Sequence, residues 1–153
     1  MRHSLPMLTT RQATASDFAF LAHVFLRAMR GSITVARGFW DESKERGQFQ
    51  QQLRLEATKI ITGDGVDVGF FMTLPCGPDT ELHTICIAPE HQRQGIGTAI
   101  TLKVVNQARS QKRGVVLSVL KANTAARSLY ERLGFVVIEE SPSHYRMRLV
   151  RPA

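Results

Sequence analysis

A β-rich run ending at Ile87 and an apolar helical period beginning near Gly97 are joined by Ala88-Pro89-Glu90-His91-Gln92-Arg93-Gln94-Gly95-Ile96. A strand that turns through two close glycines into a helix leaves several backbone N–H groups without intrahelical partners, converging on one spot. The positive end of the helix dipole lies behind them. Such a loop is an anion site, and phosphate is its natural guest. Gly95 and Gly97 allow the backbone to approach a phosphate closely, and Thr98 adds a hydroxyl donor. Two other phosphate loops are excluded. No GxxxxGK followed by Ser or Thr occurs, and Ile100 stands where the dinucleotide fingerprint needs its third glycine.

The rest of the chain supplies the elements around that loop. Leu8 to Gln12 reads as a strand, with Thr14 and Ser16 as candidate caps of a helix whose Phe18, Leu21, Ala22, Phe25, Leu26 and Met29 form one apolar stripe. Gly31 is expected to end it. Asp41 reads as the cap of a second, weaker helix through about Arg54 that carries Phe49 and Leu53 inward. Ala57 to Thr62 and Val66 to Leu74 are strands joined by Gly63-Asp64-Gly65, a hairpin signal. Pro75 to Asp79 reads as a turn, and Thr80 to Ile87 as a third strand of the meander. A helix from Gly97 to Gln111, a strand Val115 to Leu120, a helix Asn123 to Leu133, a strand Phe135 to Ile138, the turn Ser141-Pro142-Ser143 and a strand Tyr145 to Val150 complete the order β α α β β β α β α β β. This predicts an α/β (α+β) fold over residues 1–153 as a single domain. Its sheet is mixed and mostly antiparallel, with helices on both faces and parallel neighbours joined through the helix that starts near Gly97.

Length and composition agree with one globular unit. A chain of 153 residues, 43% hydrophobic with 11 Gly and 6 Pro, is long enough to bury roughly two thirds of its extended surface. The net charge of +7 is unevenly placed. Residues 1–40 carry +4, residues 41–90 carry −5 and residues 91–153 carry +8, so the last third suits a polyanionic partner. Cys76 and Cys86 form no CxxC, which argues against a disulfide framework or a zinc site and makes a reducing cytoplasm the default. His3, His23, His91 and His144 have no metal-ligand spacing, so no metal is expected. The apolar stretch Phe18 to Leu26 is too short to cross a bilayer, and Met1 to Leu8 lacks an adequate apolar region for a secretion signal.

Gln92-x-x-Gly95-x-Gly97 after a strand, followed by Asn123-x-x-Ala126-x-x-Leu129-Tyr130-x-x-x-Gly134-Phe135, resembles the GNAT superfamily of acetyl-CoA-dependent N-acetyltransferases. The resemblance runs from about Thr80 to Val137. It implies that the N–H groups of Gln92, Arg93, Gln94, Gly95, Ile96, Gly97 and Thr98 hold the pyrophosphate of coenzyme A, with Arg93 adding charge. It also implies a splay at the end of the fourth strand, near Cys86, Ile87 and Ala88, where freed backbone groups hold the pantetheine arm. Pro89 fits that position because it cannot donate to a ladder. The eight Lys and Arg between residues 91 and 132, against Glu131 alone, then have the coenzyme phosphates as their partner.

The chemistry implied is attack of an amine on a thioester. It requires a neutral amine, stabilisation of the developing oxyanion and a proton for the departing thiolate. Tyr130 occupies the family position of the acid that protonates the thiolate, although its spacing with Ala126, Leu129 and Leu133 also fits a core stripe. Asn123 contacts the cofactor in the family and also fits a helix N-cap. Glu81 and His83, two residues apart on one strand face, are the candidate bases. Arg37, Trp40 and Asp41, in the connection between the first two helices, are the candidate acceptor-binding residues, while a packed Trp40 and a capping Asp41 are equally compatible with the sequence.

The expected activity is therefore transfer of an acetyl group from acetyl-CoA to a primary amine of a small molecule by direct attack in a ternary complex. A protein N-terminal or lysine acetyltransferase and a non-catalytic acetyl-CoA sensor are the rivals. Nucleic-acid binding finds no RNP-like aromatic pattern or helix-turn-helix signal, and no membrane partner is expected. A homodimer is compatible with the resemblance.

Overall fold

The computed structural model describes residues 5–150; His3 lies outside them. The elements follow the expected order: β1 (Leu8–Gln12), α1 (Phe18–Arg37), α2 (Glu42–Gln52), β2 (Thr58–Gly63), β3 (Val66–Cys76), β4 (Asp79–Ile87), α3 (Ile96–Ser110), β5 (Gly114–Leu120), α4 (Thr124–Arg132), β6 (Val136–Glu140) and β7 (His144–Leu149). Seven strands form one sheet in the order β1-β2-β3-β4-β5-β7-β6. All neighbours are antiparallel except β4 and β5, whose parallel pairing is made by the crossover through α3.

Period-two alternation divides the sheet between two cores. Ile60 and Phe70 face α1 and α2, packed with Leu21, Ala22, Val24 and Phe49. Ile61 and Phe71 face α3 and α4, packed with Ile96, Ile100, Val104, Tyr130 and Phe135. The Asp64-Gly65 turn between β2 and β3 has positive φ at both residues (51° and 82°), as the tight hairpin requires.

Two expectations are corrected. Gly31 does not end α1; the helix continues to Arg37 and stops at Gly38, whose left-handed φ of 82° closes it with an N–H bond to the Thr34 carbonyl. The added turns place Arg37 beside Glu45 and Gln48 of α2. The turn expected at Pro75 to Asp79 is tighter, because β3 runs to Cys76 and β4 begins at Asp79. Pro75 is accommodated there because β2 pairs with β3 only as far as Met72, leaving that edge of β3 free. The segment Ala15–Arg37 is long and apolar enough, by length and composition, to cross a membrane; in the fold its Leu21, Ala22 and Val24 are core residues against the sheet.

Candidate functional site

The parallel ladder between β4 and β5 consists of three pairs and ends at Glu81 opposite Val116. Beyond it the two strands separate, and the opening forms a cleft of about 1000 Å³ lined by α1 and α2 at one end and by the starts of α3 and α4 at the other. The separation thus begins well before Cys86 to Ala88, where it was expected. Three arginines hold the closed end. Arg148 binds Asp79 through two nitrogens at 3.0 Å, Arg113 reaches the Gly77 carbonyl and the Thr80 hydroxyl, and Arg146 binds Glu81 at 2.6 Å and the Ser118 hydroxyl at 3.0 Å. The Arg148 guanidinium holds the Asp79 carboxyl below the usual carboxylate range.

One side of the cleft is the outer edge of β4. The Ala88 N–H donates to the Val68 carbonyl, so alternation along the antiparallel ladder turns the main-chain groups of Cys86 and Ala88 toward β3 and those of Ile85 and Ile87 toward the opening. Cys86 and Ala88, expected to offer freed backbone groups, therefore do not; Ile85, unremarked in the sequence, does. The Ile87 carbonyl accepts from Gln92 Nε2 at 2.9 Å, leaving the Ile87 N–H available. The Cys86 side chain is buried, which pushes its thiol up to about 12 and keeps it protonated.

The loop has the form its glycines imply. Arg93 and Gly95 both have positive φ, 64° and 82°, and α3 begins at Ile96. The first helical bond across the cap runs from the Ala99 N–H to the Gly95 carbonyl. The N–H groups of Arg93, Gln94, Gly95, Ile96, Gly97 and Thr98 donate to no acceptor among the described residues. The Gln92 N–H, expected to join them, turns back to the Pro89 carbonyl. Six donors unpaired among the described residues, in a loop with left-handed Arg93 and Gly95 at the positive end of a fifteen-residue helix, form a concavity suited to a diphosphate. The residues present therefore fit coenzyme A on their own geometry. A Cβ at Gly97 would meet Leu129 Cδ1 at 3.6 Å, so the loop also packs closely on α4.

Tyr130 lies in the core against Phe135, ring centroids 5.6 Å apart, and also lines the cleft. Its hydroxyl has no hydrogen-bond partner among the described residues. Burial pushes the phenol up to about 12, with neighbouring Cys86 a smaller contribution, so it is an un-ionised donor at neutral pH. The core reading of Tyr130 is met, and its place at the cleft is compatible with the other. The Asn123 side chain caps α4 by accepting from the Ala126 N–H at 3.2 Å.

Of the candidate bases, Glu81 lines the cleft with one oxygen taken by Arg146, and His83 is exposed with Nδ1 2.8 Å from the Thr84 hydroxyl. Both line the cleft, on a strand that is irregular between them. The β3–β4 register shifts between Met72/Thr84 and Thr73/Leu82, which inserts His83 as a bulge and breaks the alternation between them. At the α1–α2 end, Arg37 lines the cleft. Trp40 and Asp41 do not: Trp40 carries Arg30 over its ring at 5.6 Å, and Asp41 caps α2 by accepting from the Lys44 N–H at 3.2 Å. Residues the sequence did not single out also line the cleft, among them Glu45, Gln48, Ser118 and His144. Among the described residues no three His, Cys, Asp or Glu are grouped so as to hold a metal.

Known proteins agree with this geometry. Residues 56–137, more than half of the chain, match the family model described as an acetyltransferase (GNAT) domain. The chain is 30% identical over 145 residues to the L-amino acid N-acyltransferase MnaT of Escherichia coli K12, covering 88% of this chain and 83% of that protein. It is 36% identical over 78 residues to the ribosomal protein bS18-alanine N-acetyltransferase of the same organism, covering 49% of this chain and 51% of the relative, so it spans about half the length of that protein. The crystal structure of the PaiA N-acetyltransferase of Thermoplasma acidophilum in complex with coenzyme A superposes with a TM-score of 0.72 at 19% identity, covering 93% of this chain and 98% of that one. A sheet opened between its fourth and fifth strands, a glycine loop of free amides at the start of the next helix and the family match over that same region have one reading: this chain belongs to the GNAT acetyltransferase family.

Proposed function

We propose that the chain is an acetyl-CoA-dependent N-acetyltransferase acting on a primary amine of a small molecule, by direct transfer with both substrates in the cleft. The observation that carries this reading is the six unpaired amides of Arg93 to Thr98 at the same opening as the protonated, buried hydroxyl of Tyr130.

Bound acetyl-CoA supplies a thioester whose carbonyl carbon accepts a nucleophile. The loop amides and Arg93 hold its diphosphate and so fix the position of the acyl end. The N–H groups of Ile85 and Ile87, on the free edge of β4, are the donors aimed at the arm and at charge developing on the carbonyl oxygen. As the amine nitrogen bonds to the acyl carbon and the C–S bond breaks, Tyr130 gives its proton to the leaving sulfur and is reprotonated from solvent. The amine must lose a proton to become a nucleophile. Glu81 and His83 are the groups offered for this, His83 aimed by its bulge and Glu81 oriented by Arg146. Asn123 shapes the cofactor end through the start of α4, and Arg37 the acceptor end.

Release of free coenzyme thiol from acetyl-CoA across amino acids, polyamines, arylamines, aminoglycosides and peptide N-termini tests the reading. Turnover with a small amine is the expected result. Turnover confined to peptides would move the acceptor to protein, and coenzyme binding without turnover on any amine would make the chain a sensor.

A further inference from the structure

At the acceptor end of the cleft, Glu45 on α2 is buried, its side chain 5% exposed, and its carboxylate is bound by Arg37 on α1 at 2.6 Å. Arg37 also reaches Gln48 Oε1 at 3.3 Å. A buried carboxylate needs a partner cation, and here that cation stays half in water. A guanidinium has five N–H donors. Gln48 accepts from one of Arg37's, Glu45 is ion-paired at Nη1, and the side chain has no further partner among the described residues, remains 37% exposed and lines the cleft. The buried carboxylate thus anchors a planar cation that stays exposed where it lines the cleft. The groups around it do not compete for those donors. Phe25, Met29 and Phe49 are apolar, with Phe25 stacked on Phe49 at 4.5 Å, and the cleft's other acid, Glu81, is already held by Arg146.

We infer that the acceptor carries a carboxylate as well as its amine, that Arg37 binds this carboxylate, and that Glu45 is the positioning residue that orients Arg37. The inference rests on the acceptor lying at the α1–α2 end of the cleft, as in the function proposed above. Two nearly parallel N–H···O bonds match a carboxylate and not a carboxamide, because an amide presents a donor where the guanidinium needs an acceptor. The substrate class is therefore the free amino acid type, with Phe25, Met29 and Phe49 receiving an apolar portion.

Product binding separates this inference from turnover. Calorimetry on the coenzyme A-loaded protein would compare N-acetyl-leucine with N-acetyl-leucinamide, and N-acetyl-6-aminohexanoate with its amide, alongside kcat/KM for the parent amines. The expected result is an acid at least tenfold tighter than its amide at one of the two spacings, with the same discrimination in kcat/KM. In Arg37→Gln the ratio falls to about one, and in Glu45→Gln it falls partway with the loss in KM rather than kcat. Equal binding of acid and amide in the wild-type protein at both spacings overturns the inference, and needs no variant to fold. If the acids bind preferentially but no amine is acetylated, the carboxylate site stands and the acetyltransferase reading falls.

Discussion

Tyr130 is a core residue and also the acid proposed for the leaving thiolate. Its ring fills the core against Phe135, and that same burial denies the phenolate the solvation it needs, so the hydroxyl stays protonated well above neutral pH. Tyr130→Phe keeps the ring and removes only the proton. We expect kcat to fall by about 10²- to 10⁴-fold, the range for a lost general acid, with the KM for acetyl-CoA within a few-fold of wild type. Steady-state kinetics decides this, and a variant with full kcat removes Tyr130 from proton transfer. Asp79 makes a different claim. Arg148 lowers its pKa in the folded state below the ordinary 3.8, so its contribution to stability is present above that value and lost as pH falls through the folded one. Asp79→Asn should therefore unfold at lower urea than wild type at pH 7, with the difference narrowing below about pH 4. A gap as wide at pH 3 as at pH 7 would contradict it.

At the scale of elements, the cleft exists because β4 and β5 pair briefly and then part. Arg146 ties β7, β5 and β4 together at the parting point through Ser118 and Glu81. Arg146→Met leaves the part-buried Glu81 carboxylate unpartnered and is expected to cost about 1–3 kcal/mol in a denaturant titration. Gly114 is packed into the same junction, since a Cβ there would meet Asp79 Oδ1 at 2.8 Å and the Leu149 carbonyl at 3.0 Å. Gly114→Ala should lower the melting temperature and, by forcing the strands apart, weaken the bidentate Arg148–Asp79 contact. Much of this scale was legible from sequence: the hairpin at Asp64-Gly65, the parallel crossover through α3 and the glycine loop all follow from local signals with fixed conformational meaning. The length of α1 was not. Gly31 reads as a stop, but a Cβ there would meet nothing within 4 Å, so it is simply tolerated inside a helix held by packing, and the left-handed closure falls to Gly38. The bulge at His83 and the insertion of β7 between β5 and β6 depend on partners far along the chain, which period and propensity do not encode. The same holds for Arg146 meeting Glu81 and for Arg37 meeting Glu45, pairs that exist only once the sheet and α2 are in place.

Across the whole molecule, an acidic middle and a basic last third place the excess positive charge in the segment that supplies α3, α4 and the loop between β4 and α3. Part of that charge is spent internally, Arg113, Arg146 and Arg148 on the β4 junction, and Arg127 and Lys121 on Glu131, Glu140 and the ring of Tyr145. Arg93 and Arg132 remain at the cleft. Coenzyme A affinity should therefore weaken as salt rises from low ionic strength toward 1 M, where the screening length falls to about 3 Å, yet not vanish, because amide donors fixed by the loop do not depend on mobile charge. A calorimetric series in sodium chloride measures both parts. The central claim, that the amides of Arg93 to Thr98 hold the diphosphate, is tested most directly by following backbone amide resonances while coenzyme A is added. The account predicts that the largest shifts fall on these six amides, with Ile85 and Ile87 next. Saturating coenzyme A that leaves those resonances in place, in a protein whose other signals show it folded, would contradict it.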